Sequence, residues 1–136
     1  MAFVIDASAA LAWFFADERT QETDVLLLSL ERDVAVVPGI WPAEMANALV
    51  VAERRGRISQ ATVTQYLLDI AVLPFRVERA LAPDDMAGVI DLARRHALTA
   101  YNASYLDVAL RLNLPLATRD ADLAAAAKGQ GVELLL

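Results

Sequence analysis

The chain has 136 residues, is 57% hydrophobic and 22% charged, and carries a formal net charge of −6. That length supplies one domain with a sizeable core, and that composition excludes disorder, which needs few apolar residues. With no cysteine and one histidine, His96, the sequence excludes disulfide scaffolds, Cys-ligated zinc, a catalytic thiol and any site built on two imidazoles.

Ala2–Ile5 is a short buried strand ending at Asp6. A short helix, Ser8–Phe15, follows, and Thr20 caps a second over Thr20–Glu31. Val34–Val37 is another buried strand, stopped by Pro38-Gly39. Trp41, Met45, Ala48, Leu49 and Ala52 recur at helical spacing through Arg55, and Gly56 ends that helix. Ser59 opens the next, with Val63, Leu67 and Ile70 on one face. Pro74–Val77 is a third strand. Asp84 and Asp85 open a helix whose Met86, Val89, Ile90, Ala93 and Ala97 face inward. Thr99–Asn113 is apolar nearly all round and therefore central. Pro115–Thr118 is a fourth strand, Asp120 begins the Ala-rich helix Ala121–Lys128, and Val132–Leu135 is a fifth strand. Strands alternating with helices predict an α/β domain spanning residues 1–136, with a central, mostly parallel five-stranded sheet.

Acidic balance argues against a DNA-coating protein but does not exclude an acidic site that holds metal cations. No basic leader opens the chain, and the apolar run Ala9–Ala16 is far short of the roughly 20 residues that span a bilayer. The expected setting is cytoplasmic, with no membrane partner.

In parallel α/β sheets, function gathers beyond the carboxyl ends of the strands. Strand one ends in Asp6 and strand four in Thr118-Arg119-Asp120. Glu44 follows strand two on a helix, with Asn47 three residues on and on the same face. Asn102 lies in the first turn of the central helix. Carboxylates gathered without histidine or cysteine suit hard cations, Mg²⁺ or Mn²⁺, and their usual chemistry is on phosphates.

The stretches VIDASA (Val4–Ala9), WPAEMANAL (Trp41–Leu49), RRGRIS (Arg54–Ser59) and LTAYNASYLDVALRLNLPLATRDADL (Leu98–Leu123) resemble PIN-domain ribonucleases. They are most similar to the toxins of bacterial VapBC toxin–antitoxin pairs. The resemblance covers essentially the whole chain. It implies a three-layer α/β/α domain, an Mg²⁺- or Mn²⁺-dependent endoribonuclease, an RNA substrate, a small cognate antitoxin that occupies the site, and a homodimer. It makes Asp6 the first acid, Glu44 the second and Asp120 the fourth. Thr118 matches the hydroxyl residue two before that acid, and Ser8 and Asn47 stand where hydrogen-bond partners of the acids are expected. The third acidic position departs from the family pattern. Tyr-Asp-Ala is replaced by Tyr101-Asn102-Ala103, which keeps the shape and an oxygen ligand but removes a unit of charge. Asp107, about 140° around the helix from Asn102, does not compensate; Asp122 is better placed to do so.

Plainer roles compete at each position. Asp6 is also a turn residue, Asp120 an N-cap and Glu44 an exposed helix acid. Asp107 and Asp122 read mainly as solvated acids, and His96 as a cation favoured by a helix C-terminus. Arg54, Arg55 and Arg57 are either a solvated helix end or contacts for RNA phosphates. Trp13, Phe14 and Phe15 read as core or a dimer face, and Tyr101 and Tyr105 as core with polar tips. Two functions are weighed: an active endoribonuclease, and a module with a crippled site that binds antitoxin or RNA without cleaving. A phosphoacceptor receiver fails because the one lysine, Lys128, sits at a helix end. A haloacid-dehalogenase-type phosphatase fails because Asp6-Ala7-Ser8 lacks the second Asp.

Overall fold

The structure is a computed structural model that describes all 136 residues. Four short strands form its sheet: β1 (Ala2–Ile5), β2 (Val34–Val37), β3 (Phe75–Val77) and β4 (Leu116–Ala117). Their order is β3-β2-β1-β4, and every pairing is parallel. AFVI and VAVV are apolar without alternation because helices cover both faces of such a sheet. Accordingly Phe3, Val4, Ile5, Ala35, Val36 and Val37 are all buried.

The expected fifth strand is reduced to one parallel bridge between Leu116 and Leu134. Leu116 still exchanges backbone hydrogen bonds with this tail, to Glu133 and from Leu135. Because β4 is two residues long, it templates a single bridge rather than a ladder.

Seven helices complete the fold: α1 (Ala7–Leu11), α2 (Gln21–Ser29), α3 (Trp41–Arg54), α4 (Gln60–Val72), α5 (Met86–His96), α6 (Ala100–Leu112) and α7 (Ala121–Gly129). Local chemistry sets their starts. The side chains of Asp6, Thr20, Ser59, Thr99 and Asp120 each accept a backbone N–H of the first turn. The central helix of the sequence is α6, which packs on β1 and is flanked by α5 and α7. It buries Ala103, Ser104, Tyr105, Leu106, Val108 and Ala109. A smaller cluster of Phe15, Leu49 and Ala52 holds α3 against the turn into α4.

Four expected inward positions turn outward. On α5, Val89 and Leu92 are buried, whereas Met86 is 53% and Ile90 38% exposed. The inward stripe is thus one turn wide, not the full helix length. Ala97 leaves the stripe because its backbone is left-handed (φ 52°) at the helix end. Tyr101, expected in the core, is 64% exposed, while Tyr105 is buried at 1%. In the first turn of α6 the helix has not yet entered the core, so its tyrosine stays at the rim.

The chain runs from β1 to β2 and β3 on one side, then returns to place β4 on the other side of β1. The sheet therefore switches direction between β1 and β4, where crevices form at the carboxyl edge. Asp6 and Thr118 follow those two strands.

Candidate active site

Asp6 leaves β1 and caps α1, so one residue serves strand end and helix start. It is buried, and its carboxylate accepts from the Ser8 hydroxyl at 2.8 and 2.9 Å, the Ala9 N–H at 2.9 Å and the Thr118 hydroxyl at 2.5 Å. Burial pushes its pKa above the ordinary 3.8 and the charge of Asp120 adds to that; the three donors oppose it without cancelling it.

The loop after β4 interlocks with this carboxylate. Thr118 accepts the backbone N–H of Asp120 at 3.0 Å, and Ser8 accepts that of Arg119 at 3.0 Å. Asp120 caps α7 through the Leu123 N–H at 2.9 Å. It is half-buried, so its capping role leaves part of the carboxylate open to solvent.

Glu44 lies in the first turn of α3, half-buried. The Tyr105 hydroxyl donates to its Oε1 at 2.5 Å. Burial raises the Glu44 pKa above its ordinary 4.5 and the Asp6 charge raises it further, while the tyrosine bond acts the other way. Tyr105 itself is pushed far above 10 by burial and then by Glu44, so its proton stays on the phenol. The sequence reading placed Tyr105 in the core but missed this contact. The available signal was that Tyr105 stands three residues after Asn102, on the same helical face.

Asn102 is half-buried in the first turn of α6; its N–H donates to Thr99 at 3.1 Å, and its side-chain amide has no hydrogen-bond partner. Asn47 is exposed. It lines a groove of about 530 Å³ with Gly39, Ile40, Ala43, Glu44 and Tyr101. Asp122 is exposed on α7 and bonds to none of these groups. Asp107 pairs with Arg111 at 2.9 Å. His96 ends α5 and bonds Gln130 at 2.8 Å. No three Asp, Glu or His side chains stand close enough together to hold an ion by themselves.

The acids that act on one another's charge are thus Asp6 with Asp120 and Asp6 with Glu44, at the switch point of a parallel sheet. The chain matches the PIN domain model over residues 3–129 and belongs to that family. Its fold is similar to PAE2754 from Pyrobaculum aerophilum, with a TM-score of 0.74 at 27% identity, covering 99% of this chain and 90% of that one. It is also similar to VapBC2 from Rickettsia felis, solved bound to a DNA fragment from their promoter. The TM-score there is 0.62 at 12% identity, covering 98% and 97% of the two chains, a likeness of fold. No curated protein matches the sequence. No helix is long and apolar enough to cross a membrane.

Proposed function

We propose that this PIN domain is a divalent-metal-dependent endoribonuclease of the toxin type, acting at the carboxyl edge between β1 and β4. The observation that carries the reading is the coupling of Asp6 to both Asp120 and Glu44. Burial holds Asp6 and Glu44 above their ordinary pKa, the charge of Asp120 adds to this at Asp6 and that of Asp6 at Glu44, and a cation relieves that repulsion.

The donor set fits a hard ion. Asp6, Glu44, Asp120 and the amide oxygen of Asn102 are all oxygen ligands, and Mg²⁺ commonly takes only one or two carboxylates while keeping waters. That tolerance matters here, because no three acids close into a cluster. When bound, such an ion offsets phosphate charge and lowers the pKa of a coordinated water. The chain's own residues do the positioning. Ser8 and Thr118 fix the Asp6 carboxylate, Thr118 also fixes the Asp120 backbone, and the Tyr105 proton holds Glu44. The groove beside Glu44, Asn47 and Tyr101 is open to an RNA strand.

The partners proposed with this activity follow from charge and exposure. An antitoxin segment would present an Arg or Lys to the Asp6–Glu44–Asp120 edge. A homodimer would cover exposed apolar residues of α4, where Leu67 is 53%, Leu68 60% and Val72 83% exposed.

The second reading is a module that binds RNA or antitoxin without cleaving. Asn102 favours it, since a neutral amide attracts a cation less than a carboxylate does. RNA cleavage with Mg²⁺ or Mn²⁺, against EDTA, by the chain and by Asn102→Asp decides between them. The nuclease reading expects metal-dependent cleavage that rises by at least roughly tenfold in Asn102→Asp. Absence of cleavage in both forms supports the binding module.

A further inference from the structure

Between α1 and α2, Glu18 stands beside the loop that carries Asp120. Glu18 receives two arginines on its two carboxylate oxygens. Arg57 donates to Oε2 at 3.0 Å and Arg119 to Oε1 at 3.3 Å. The arginines come from distant parts of the chain, the turn between α3 and α4 and the loop after β4. Both are partly exposed, at 41% and 36%, as is Glu18 at 31%.

Each arginine is held in place. The Arg57 guanidinium stacks 4.0 Å from the Phe15 ring centroid and pairs with Asp17 at 2.7 Å. The Arg119 backbone donates to Ser8, which donates in turn to Asp6, and the next residue is Asp120. The side chain of Arg119 is therefore moored one residue from a candidate ligand. Phe15, Glu18, Asn47, Arg55 and Arg57 line a groove of about 300 Å³. Arg55 has no ion-pair partner there. Asn47 also lines the groove that holds Glu44, so this residue of α3 borders both grooves.

We propose that Arg57 and Arg119 form a phosphodiester grip for single-stranded RNA, and that Glu18 occupies it as an internal stand-in for the phosphate. This rests on the nuclease reading of the neighbouring edge and names how its substrate is held. A carboxylate and a phosphodiester each present two anionic oxygens in a fork, and arginine binds both through its planar set of donors. Exposed ion pairs are worth little in water, so a phosphate displaces Glu18 at low cost. On a chain of net charge −6, RNA needs such a local cationic foothold, and one beside Asp120 delivers the strand to the acids. Glu18 and Asp17 together offset the two arginine charges until a polyanion competes for them.

The test is binding of a short single-stranded RNA in EDTA over a salt series, followed by fluorescence anisotropy. Because no metal is present, the result is independent of whether the chain cleaves. Arg57→Ala and Arg119→Ala should each weaken binding roughly tenfold at low salt, and each should lower the salt slope by about 0.7. Glu18→Gln should tighten binding, since it removes the anion that bridges both arginines, keeps the side chain's shape and leaves Asp17 alone on Arg57. If Glu18 served only to brace the arginines, the same change would weaken binding. Circular dichroism melting of every variant separates loss of fold from loss of grip. The proposal is overturned if the unsubstituted chain does not bind the RNA. It is also overturned if the arginine variants, still folded, keep the affinity and salt slope, or if Glu18→Gln binds no tighter. It equally fails if the arginine changes spare RNA and instead abolish binding of a protein partner.

Discussion

The Thr118 hydroxyl donates to Asp6 Oδ2 across a sequence separation of 112 residues and accepts the Asp120 N–H at 3.0 Å. One hydroxyl thus fixes the spacing between a buried acid and a half-buried one. Thr118→Val keeps the shape and removes both bonds. It leaves Asp6 short of a donor and the Asp120 N–H without its acceptor, and should cost about 1–3 kcal/mol. Thr118→Ser should retain most of the stability. Urea denaturation of the three forms measures this, and equal midpoints would show that the hydroxyl is dispensable.

Asn102→Asp should act oppositely with and without a divalent ion. Without metal, a carboxylate added next to Tyr101, which lines the Glu44 groove, should add repulsion at that edge and lower stability by about 1 kcal/mol. With Mn²⁺, the Asp form should gain more from the ion than the Asn form, because tighter binding to the folded state stabilises it more. Thermal melts with EDTA and with Mn²⁺ test this; an identical Mn²⁺ shift in both forms would show that position 102 does not meet the ion.

Stability should pass through a maximum on the acid side. Asp6 and Glu44 have folded pKa values raised above 3.8 and 4.5, so the folded chain takes up their protons first as pH falls. Stability therefore rises as pH drops from neutral through those raised values, and the gain is complete below the ordinary ones. Asp85 behaves in reverse. Its bond to Arg79 holds it at about 2. Its contribution is present above 3.8 and lost as pH falls toward 2. Chemical denaturation across this range reads the curve, and Asp6→Asn should flatten its rising limb. A monotonic loss of stability from neutral pH downward would contradict the raised carboxylates.

Two backbone positions should respond with opposite signs. Gly39 follows β2 and lines the Glu44 groove. A Cβ there would sit 2.9 Å from the Ala80 Cα and 3.2 Å from the Glu78 carbonyl oxygen. Since backbone cannot swing aside as a side chain can, Gly39→Ala should cost about 1–3 kcal/mol. Ala97 holds a left-handed conformation at the exposed end of α5, which disfavours a Cβ. Ala97→Gly should stabilise by roughly 0.5–1 kcal/mol. Midpoints moving in the same direction for both would refute the steric account.

Much of this protein was legible in one dimension because the signals involved are local. The unbroken apolar runs at 2–5 and 34–37 are what a parallel strand covered on both faces requires, and caps such as Thr20, Ser59 and Asp120 act within three residues. The acids Asp6, Glu44 and Asp120 could be named because each directly follows a strand or opens a helix. Long-range pairing was not legible. The tail at Val132–Leu135 has strand composition, yet it forms one bridge, because a two-residue β4 is all that it meets. Tyr101 and Tyr105 look alike in sequence, but α6 enters the core between them, leaving one at the rim and setting the other against Glu44. Arg57 and Arg119 carry no mutual signal at all; only the packing of the folded chain brings them to the two oxygens of Glu18. Sequence determined the element types and the candidate acids through short-range chemistry. The tertiary structure decided which distant side chains share a charge, a proton or a partner, since those distances depend on how the chain crosses the sheet.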